Sequence, residues 1–159
     1  MTIDQRFVVG ESMGGINALM VWLKTGSLFD KAAALCPPIP TISPMASTNQ
    51  MWAYINQGET SWLRGFMMLV IGRHFYKDEA SWQQNNPLSL VQNTELSQVG
   101  DLYLTCGRQD DWGCMNGSQK LVKIINEKQG DVEWVPRPGG HCDIDHNTLA
   151  QYLTQPNHS

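Results

Sequence analysis

Charge is scarce in this chain and concentrated nowhere. Asp, Glu, Lys and Arg make up only 16% of the 159 residues, 11 basic against 15 acidic, for a net charge of −4. With a pI near 5.4 and no Lys/Arg cluster, nucleic acid is set aside as the main partner. Long hydrophobic runs are lacking too. The nearest, Phe66 to Gly72, is far too short to cross a bilayer, so no membrane span is expected. The first residues carry no basic-then-apolar leader. Because the true N-terminus is expected to lie upstream of Met1, the compartment stays open between cytoplasmic and secreted. The four cysteines, Cys36, Cys106, Cys114 and Cys142, contain no CxxC pair, which excludes zinc-ribbon and thioredoxin readings. Their even number allows two disulfides, with buried reduced thiols as the alternative. No internal repeat or low-complexity segment is visible.

What is present is an ordinary apolar inventory, 42% hydrophobic residues, enough for one domain with a real core. One stretch organises it. Gly10-Glu11-Ser12-Met13-Gly14-Gly15 follows the apolar run Phe7-Val8-Val9 and opens the apolar segment Ile16 to Leu23. Strand, glycine turn and helix with a serine at the apex is the layout of a nucleophile elbow. A serine hydroxyl needs clear approach and a base before it attacks anything. Gly10 and Gly14 read as the flanks of the tight turn, where a side chain collides, and Gly15 as room for the helix to sit close. The backbone N–H of Met13, at the helix start, reads as an oxyanion donor. The bland alternative is a glycine-rich turn whose serine merely caps the helix.

Ile16, Leu19, Met20 and Leu23 recur at helical spacing, and Gly26 reads as a left-handed C-cap. Ala32 to Leu35 gives a short strand closed by Cys36-Pro37-Pro38. From Pro37 to Val99 strand and helix no longer alternate: two helices, Met45 to Asn56 and Ser61 to Phe75, precede Asn86-Pro87-Leu88. This divides the chain into a core of residues 1–36 and 100–159 and a helical lid insertion of residues 37–99. Trp52, Trp62, Phe66 and Met67 on that segment are the candidate substrate-binding residues. Asp101 to Cys106 resumes the core as a strand, followed by the loop Gly107-Arg108-Gln109-Asp110-Asp111. A helix over Ser118 to Gln129, a strand through Val132 and Trp134, a rigid turn from Pro136 to Gly140 and a helix over Asp143 to Leu153 complete it. The tail from Thr154 reads as frayed. The pattern predicts an α/β fold of about four parallel strands flanked by helices.

In an open parallel sheet the chemistry gathers at the C-terminal strand ends, and Ser12, Asp110 and His141 each follow a different strand there. Their order, Ser then Asp then His, is that of the α/β-hydrolase triad. His141 would take the proton from Ser12 and later return it, while a carboxylate holds its tautomer. Asp111 competes with Asp110 for that last role. His141, Cys142, Asp143, Asp145 and His146 are close enough in sequence to suggest a metal, but carboxylates at a helix start are favoured by the dipole alone. No metal or cofactor is expected. Cys114 and Cys142 follow the acid and base loops and would meet if those loops adjoin, against two free thiols as the alternative.

The stretches Arg6 to Gly15, Leu104 to Asp110 and Pro138 to His141 resemble the C-terminal half of an α/β-hydrolase, closest to the family of esterase D-like and feruloyl-esterase-like enzymes named Putative esterase. The resemblance implies a partial α/β-hydrolase fold from the elbow strand onward. It implies a serine esterase acting on carboxylic esters, with Ser12 as nucleophile, Asp110 as acid and His141 as base, and a small-molecule ester as partner. Spacing from Gly107 in that family favours Asp110 over Asp111. A full fold has about eight strands with the elbow strand fifth, so the resemblance also implies that the first strands, and the loop bearing a second oxyanion donor, are absent here. An incomplete catalytic unit is then expected, with Phe7-Val8-Val9 as an exposed edge prone to self-association. The competing class is a non-enzymatic binding module that keeps the half-fold and presents its lid to a partner.

Overall fold

The computed structural model describes residues 5–56 and 60–156; of the tail expected to fray from Thr154, Thr154 itself closes a helix and residues 157–159 lie outside the described ones. Four strands, β1 (Phe7–Glu11), β2 (Lys31–Leu35), β3 (Asp101–Gly107) and β4 (Glu133–Arg137), form one sheet in the order β1-β2-β3-β4. Every pairing is parallel: Val9 faces Ala33, Ala33 faces Tyr103, and Tyr103 faces Glu133. Among the described residues seven α-helices flank it: α1 (Met13–Thr25), α2 (Thr48–Asn56), α3 (Trp62–Phe75), α4 (Glu79–Gln83), α5 (Pro87–Asn93), α6 (Cys114–Glu127) and α7 (His146–Thr154).

Strand periodicity of two divides the core between the sheet's faces. Ala32, Ala34, Leu102 and Leu104 point to one side and pack with Leu19, Trp22 and Leu23 of α1, Val91 of α5, and Leu121 and Ile125 of α6. Ala33, Leu35 and Tyr103 point to the other side, where Tyr152 of α7 covers them with help from Leu149 and Leu153. The small Ala32-Ala33-Ala34 run lets helices approach β2 from both faces. Lys31, 1% exposed, donates through Nζ to the carbonyls of Tyr152 and Gln155 at 2.7 and 2.5 Å. It thereby satisfies the open carbonyl end of α7 and balances the helix dipole. Burial pushes the Tyr152 phenol up from its usual range.

Local chemistry sets the helix starts. Ser61 caps α3, Asn86 caps α5 ahead of Pro87, and Asp145 caps α7 by accepting from Asn147 and Thr148. Each such cap is worth about 1 kcal/mol of helix stability. Several expected boundaries move. α2 begins at Thr48 rather than Met45, α6 begins a full turn early at Cys114, and Pro136 stands inside β4. An edge strand tolerates that proline because its missing N–H need not enter the ladder. Gly26 has positive φ as expected, but its ψ of −129° is not that of a left-handed helical cap; the chain turns there into a short 3-10 segment, Gly26–Leu28. Phe7 and Val9 on β1 are 40% and 45% exposed at the sheet edge. No helix among the described residues is long and apolar enough to cross a membrane.

Candidate active site

β1 ends at Glu11 and α1 begins at Met13, leaving a single residue, Ser12, for the reversal. Its φ of 52° and ψ of −119° lie outside the basins usual for a non-glycine residue, and such a conformation persists only where its surroundings over-determine it. Here the surroundings do. The Ser12 N–H donates to Leu35 at 2.8 Å, and the Ser12 carbonyl accepts from Gly15 and Ile16. A Cβ on Gly10 would come within 2.0 Å of the Gly14 carbonyl, so only glycine lets the helix start over the strand end. Gly14 differs from expectation: a Cβ there would meet nothing within 4 Å. The elbow's steric demand falls on Gly10 and, more mildly, on Gly15.

The Ser12 side chain makes no capping bond to α1. Its Oγ lies 3.0 Å from Nε2 of His141, and Nδ1 of His141 lies 2.6 Å from Oδ2 of Asp110. The Asp110 carboxylate is fully shielded while the imidazole keeps a quarter of its surface exposed. The other oxygen, Oδ1, accepts from the N–H groups of Trp112 and Cys114 at 2.8 and 3.2 Å. A buried carboxylate with both oxygens bonded is held in one orientation, with its acceptors satisfied. An ionised Oδ2 can only accept, so Nδ1 carries the proton and Nε2 is left to accept from Ser12.

Loop contacts aim these groups. Arg108 N–H donates to Arg137, and Gln109 N–H to Gly139, while Gly139 N–H returns to the Gln109 side chain at 2.5 Å. This ladder zips the Asp110 loop to the His141 loop. Arg137 pairs with Asp145 at 2.7 Å, and the Trp112 ring tilts against His141 at 5.8 Å. Neither Trp112 nor Gln109 stands out in the sequence, because their roles exist only once two loops 30 residues apart are adjacent.

The cysteines depart from expectation. Cys142 is bonded to Cys36, not to Cys114. Cys106 and Cys114 are free and buried. Cys114 Sγ sits 3.7 Å from Nδ1 of His141, but its thiol is pushed up, by a hydrogen bond with Cys106, then by burial, then by the Asp110 charge. It is a neutral neighbour of the imidazole. Asp110, Cys114 and His141 lie close enough to share an ion, yet Nδ1 and the carboxylate are already spent on each other. Asp145 caps α7 and pairs with Arg137, the use that the helix dipole suggested.

The remaining candidates divide. Trp52, Trp62 and Phe66 line an apolar cavity of about 270 Å³ between α2 and α3, with Thr48, Met51 and Ile55. Met67 is not part of that lining. Met13 instead heads a larger groove of about 840 Å³, in which Ile16 and Met20 of α1 face Met68, Ile71 and Phe75 of α3.

The model of the family described as Putative esterase matches residues 2–134. Among solved structures, esterase B from Lactobacillus Rhamnosis superposes with a TM-score of 0.60 at 20% identity, covering 96% of this chain and 52% of that one. A ferulic acid esterase gives a TM-score of 0.62 at 18% identity, with 96% and 52% covered. A fluorophosphonate-binding serine hydrolase of Staphylococcus aureus gives 0.56 at 20%, with 92% and 50% covered. The chain thus spans about half the length of these structures, and the likeness is one of fold. No curated protein matches it in sequence.

Proposed function

The chain belongs to the Putative esterase family, and on that premise we propose that it hydrolyses carboxylic esters through a Ser12–His141–Asp110 triad and an acyl-enzyme intermediate. The observation that carries the proposal is the unbroken chain of contacts from Ser12 Oγ to Nε2 at 3.0 Å and from Nδ1 to Asp110 at 2.6 Å. Three side chains from three separate strand ends meet in the order that proton transfer requires.

Ser12 Oγ attacks the ester carbonyl as His141 Nε2 takes its proton. Asp110 keeps the other imidazole nitrogen protonated and stabilises the imidazolium. The Met13 N–H is one of the first four of α1, which have no acceptor inside the helix, and it donates to the oxyanion as charge builds there. His141 then protonates the departing alcohol. A water, activated by the same imidazole, releases the acid and restores Ser12. The apolar part of the ester is assigned to the segment of residues 37–99, acting as a lid through Trp52, Trp62, Phe66 and Met67.

The test is covalent labelling. In an active form of the protein a fluorophosphonate probe is expected to modify Ser12 and p-nitrophenyl acetate to be turned over, with Ser12→Ala abolishing both. Labelling that survives Ser12→Ala would overturn the assignment, and its absence from the parent chain would favour a catalytically incomplete unit or the binding module over the active esterase.

A further inference from the structure

The Cys36–Cys142 disulfide joins positions 106 residues apart, and its two ends serve the two partners of the Ser12–His141 contact. Cys36 follows Leu35, whose carbonyl holds the Ser12 N–H, and the Cys36 N–H itself is anchored on Thr105 of β3. Cys142 follows His141 directly. The bridge is therefore a covalent link between the strand that fixes the serine backbone and the turn that presents the imidazole.

That turn is one that needs fixing. It leaves β4, an edge strand whose residues are all only half-buried. The backbone anchors of the loop fall toward its ends, at Arg137, Gly139 and Asp145, and between them only the His141 side chain is hydrogen-bonded, to Asp110 and Ser12. At its apex Cys142 has φ 56°, while Cys36 across the bridge has φ 44°. Both are left-handed conformations that a residue with a side chain resists unless its surroundings impose them. Four non-glycine residues among those described have positive φ, and three of them are Ser12, Cys36 and Cys142.

We propose that the Cys36–Cys142 bridge is the positioning element that holds His141 against Ser12, so that chemistry at Ser12 is fast with the bridge closed and slow with it open. The inference deepens the hydrolase reading and rests on it. Opening the bridge consumes a dithiol reductant. Its thiolate attacks one cysteine sulfur, the S–S bond breaks, and the second reductant thiolate displaces the mixed disulfide. The protein gains two electrons and two protons as a pair of thiols, and the reductant leaves as a cyclic disulfide. His141 would then ride on a loop whose backbone is held only toward its ends, with the Asp110 contact left to aim the ring, and a displacement of about 1 Å at a reacting group costs on the order of 10²-fold.

The experiment compares the full chain oxidised, reduced with dithiothreitol under native conditions, and reoxidised, beside the Cys36→Ser/Cys142→Ser variant. Fluorophosphonate labelling of Ser12 and turnover of p-nitrophenyl acetate are read together with the low-field proton shared by His141 Nδ1 and Asp110. Reduction is expected to lower the labelling rate and kcat by about 10–100-fold while KM changes little. It should also broaden the Nδ1 proton, with all three recovering on reoxidation. The double variant should behave as the reduced protein does and ignore dithiothreitol. Equal rates and an unchanged proton in both states would overturn the proposal. So would global unfolding on reduction, by circular dichroism, which would make the bridge a general staple. Absence of Ser12-dependent labelling in every state would instead sink the hydrolase reading, and the Nδ1 proton would still report whether the bridge positions His141.

Discussion

Arg64 of α3 pairs with the carboxylate of Asp111, one residue along from the carboxylate that meets His141. The same guanidinium lies over the Trp112 ring at 4.8 Å, and Thr60 donates to the Asp111 carbonyl at 3.1 Å. Two adjacent aspartates thus face opposite ways. Asp110 is buried and faces the imidazole; Asp111 is exposed and ties the 37–99 segment to the loop.

The division separates the two in function. Asp110→Asn is expected to lower kcat for p-nitrophenyl acetate by about 10⁴-fold, because the amide favours the wrong histidine tautomer. Asp111→Asn removes a largely exposed ion pair and should cost far less. Steady-state kinetics on the two variants checks this, and the reverse ranking would transfer the role to Asp111.

The elbow makes an asymmetric demand on its glycines. Gly10→Ala puts a methyl group 2.0 Å from the Gly14 carbonyl and should abolish labelling of Ser12 along with stable folding. Gly14→Ala meets nothing within 4 Å and should keep both. Thermal melts and probe labelling of the pair decide it. An inactive but well-folded Gly14→Ala would mean the position matters to the substrate rather than to the turn.

For the proposed lid, Trp62→Ala or Phe66→Ala should alter the preference among p-nitrophenyl esters of increasing chain length more than it alters Tm. Phe75→Ala probes the groove that begins at Met13. If only Phe75→Ala moves the preference, the acyl chain lies between α1 and α3 and the tryptophan cavity has another use.

Asp145 makes stability depend on pH. Hydrogen bonds from Thr148, first through its hydroxyl and then through its N–H, hold the carboxyl below the ordinary aspartate range. A depressed folded-state pKa contributes stability that is fully present above the unfolded value and is lost as pH falls through the folded one. Tm should therefore drop on acidification below about pH 4. Asp145→Asn should lower Tm at neutral pH and flatten that acid limb. Parallel melting profiles of the two proteins provide the check.

The edge of the sheet also carries an expectation. Phe7 and Val9 lie exposed on β1, whose outer backbone groups face no neighbour among the described strands. We expect the chain to self-associate there, and Val9→Lys to shift sedimentation toward the monomer by placing a charge on the pairing edge. An unaltered distribution would clear β1 of that role.

The sequence by itself determined what is local. A glycine-flanked serine between an apolar run and a helical repeat marked a sharp strand-to-helix turn, and left open whether its side chain capped the helix. Three short apolar runs and one alternating segment located the four described strands, and the Ser, Asp, His order marked three strand ends. The short capped helix α5 escaped such reading, since seven residues give too few repeats to show a period. Tertiary structure alone decided what lies between distant segments. Asp110 and Asp111 are the same residue type at adjacent positions, and only the packing of α3 and the His141 loop against opposite sides of one turn assigns them different partners. Cys142 bonds to Cys36 rather than Cys114 because the parallel order of β2 beside β3 brings the end of β2 under the His141 turn. Sequence spacing holds no record of that distance, since a crossover between parallel strands can be of any length and still return to the same sheet edge.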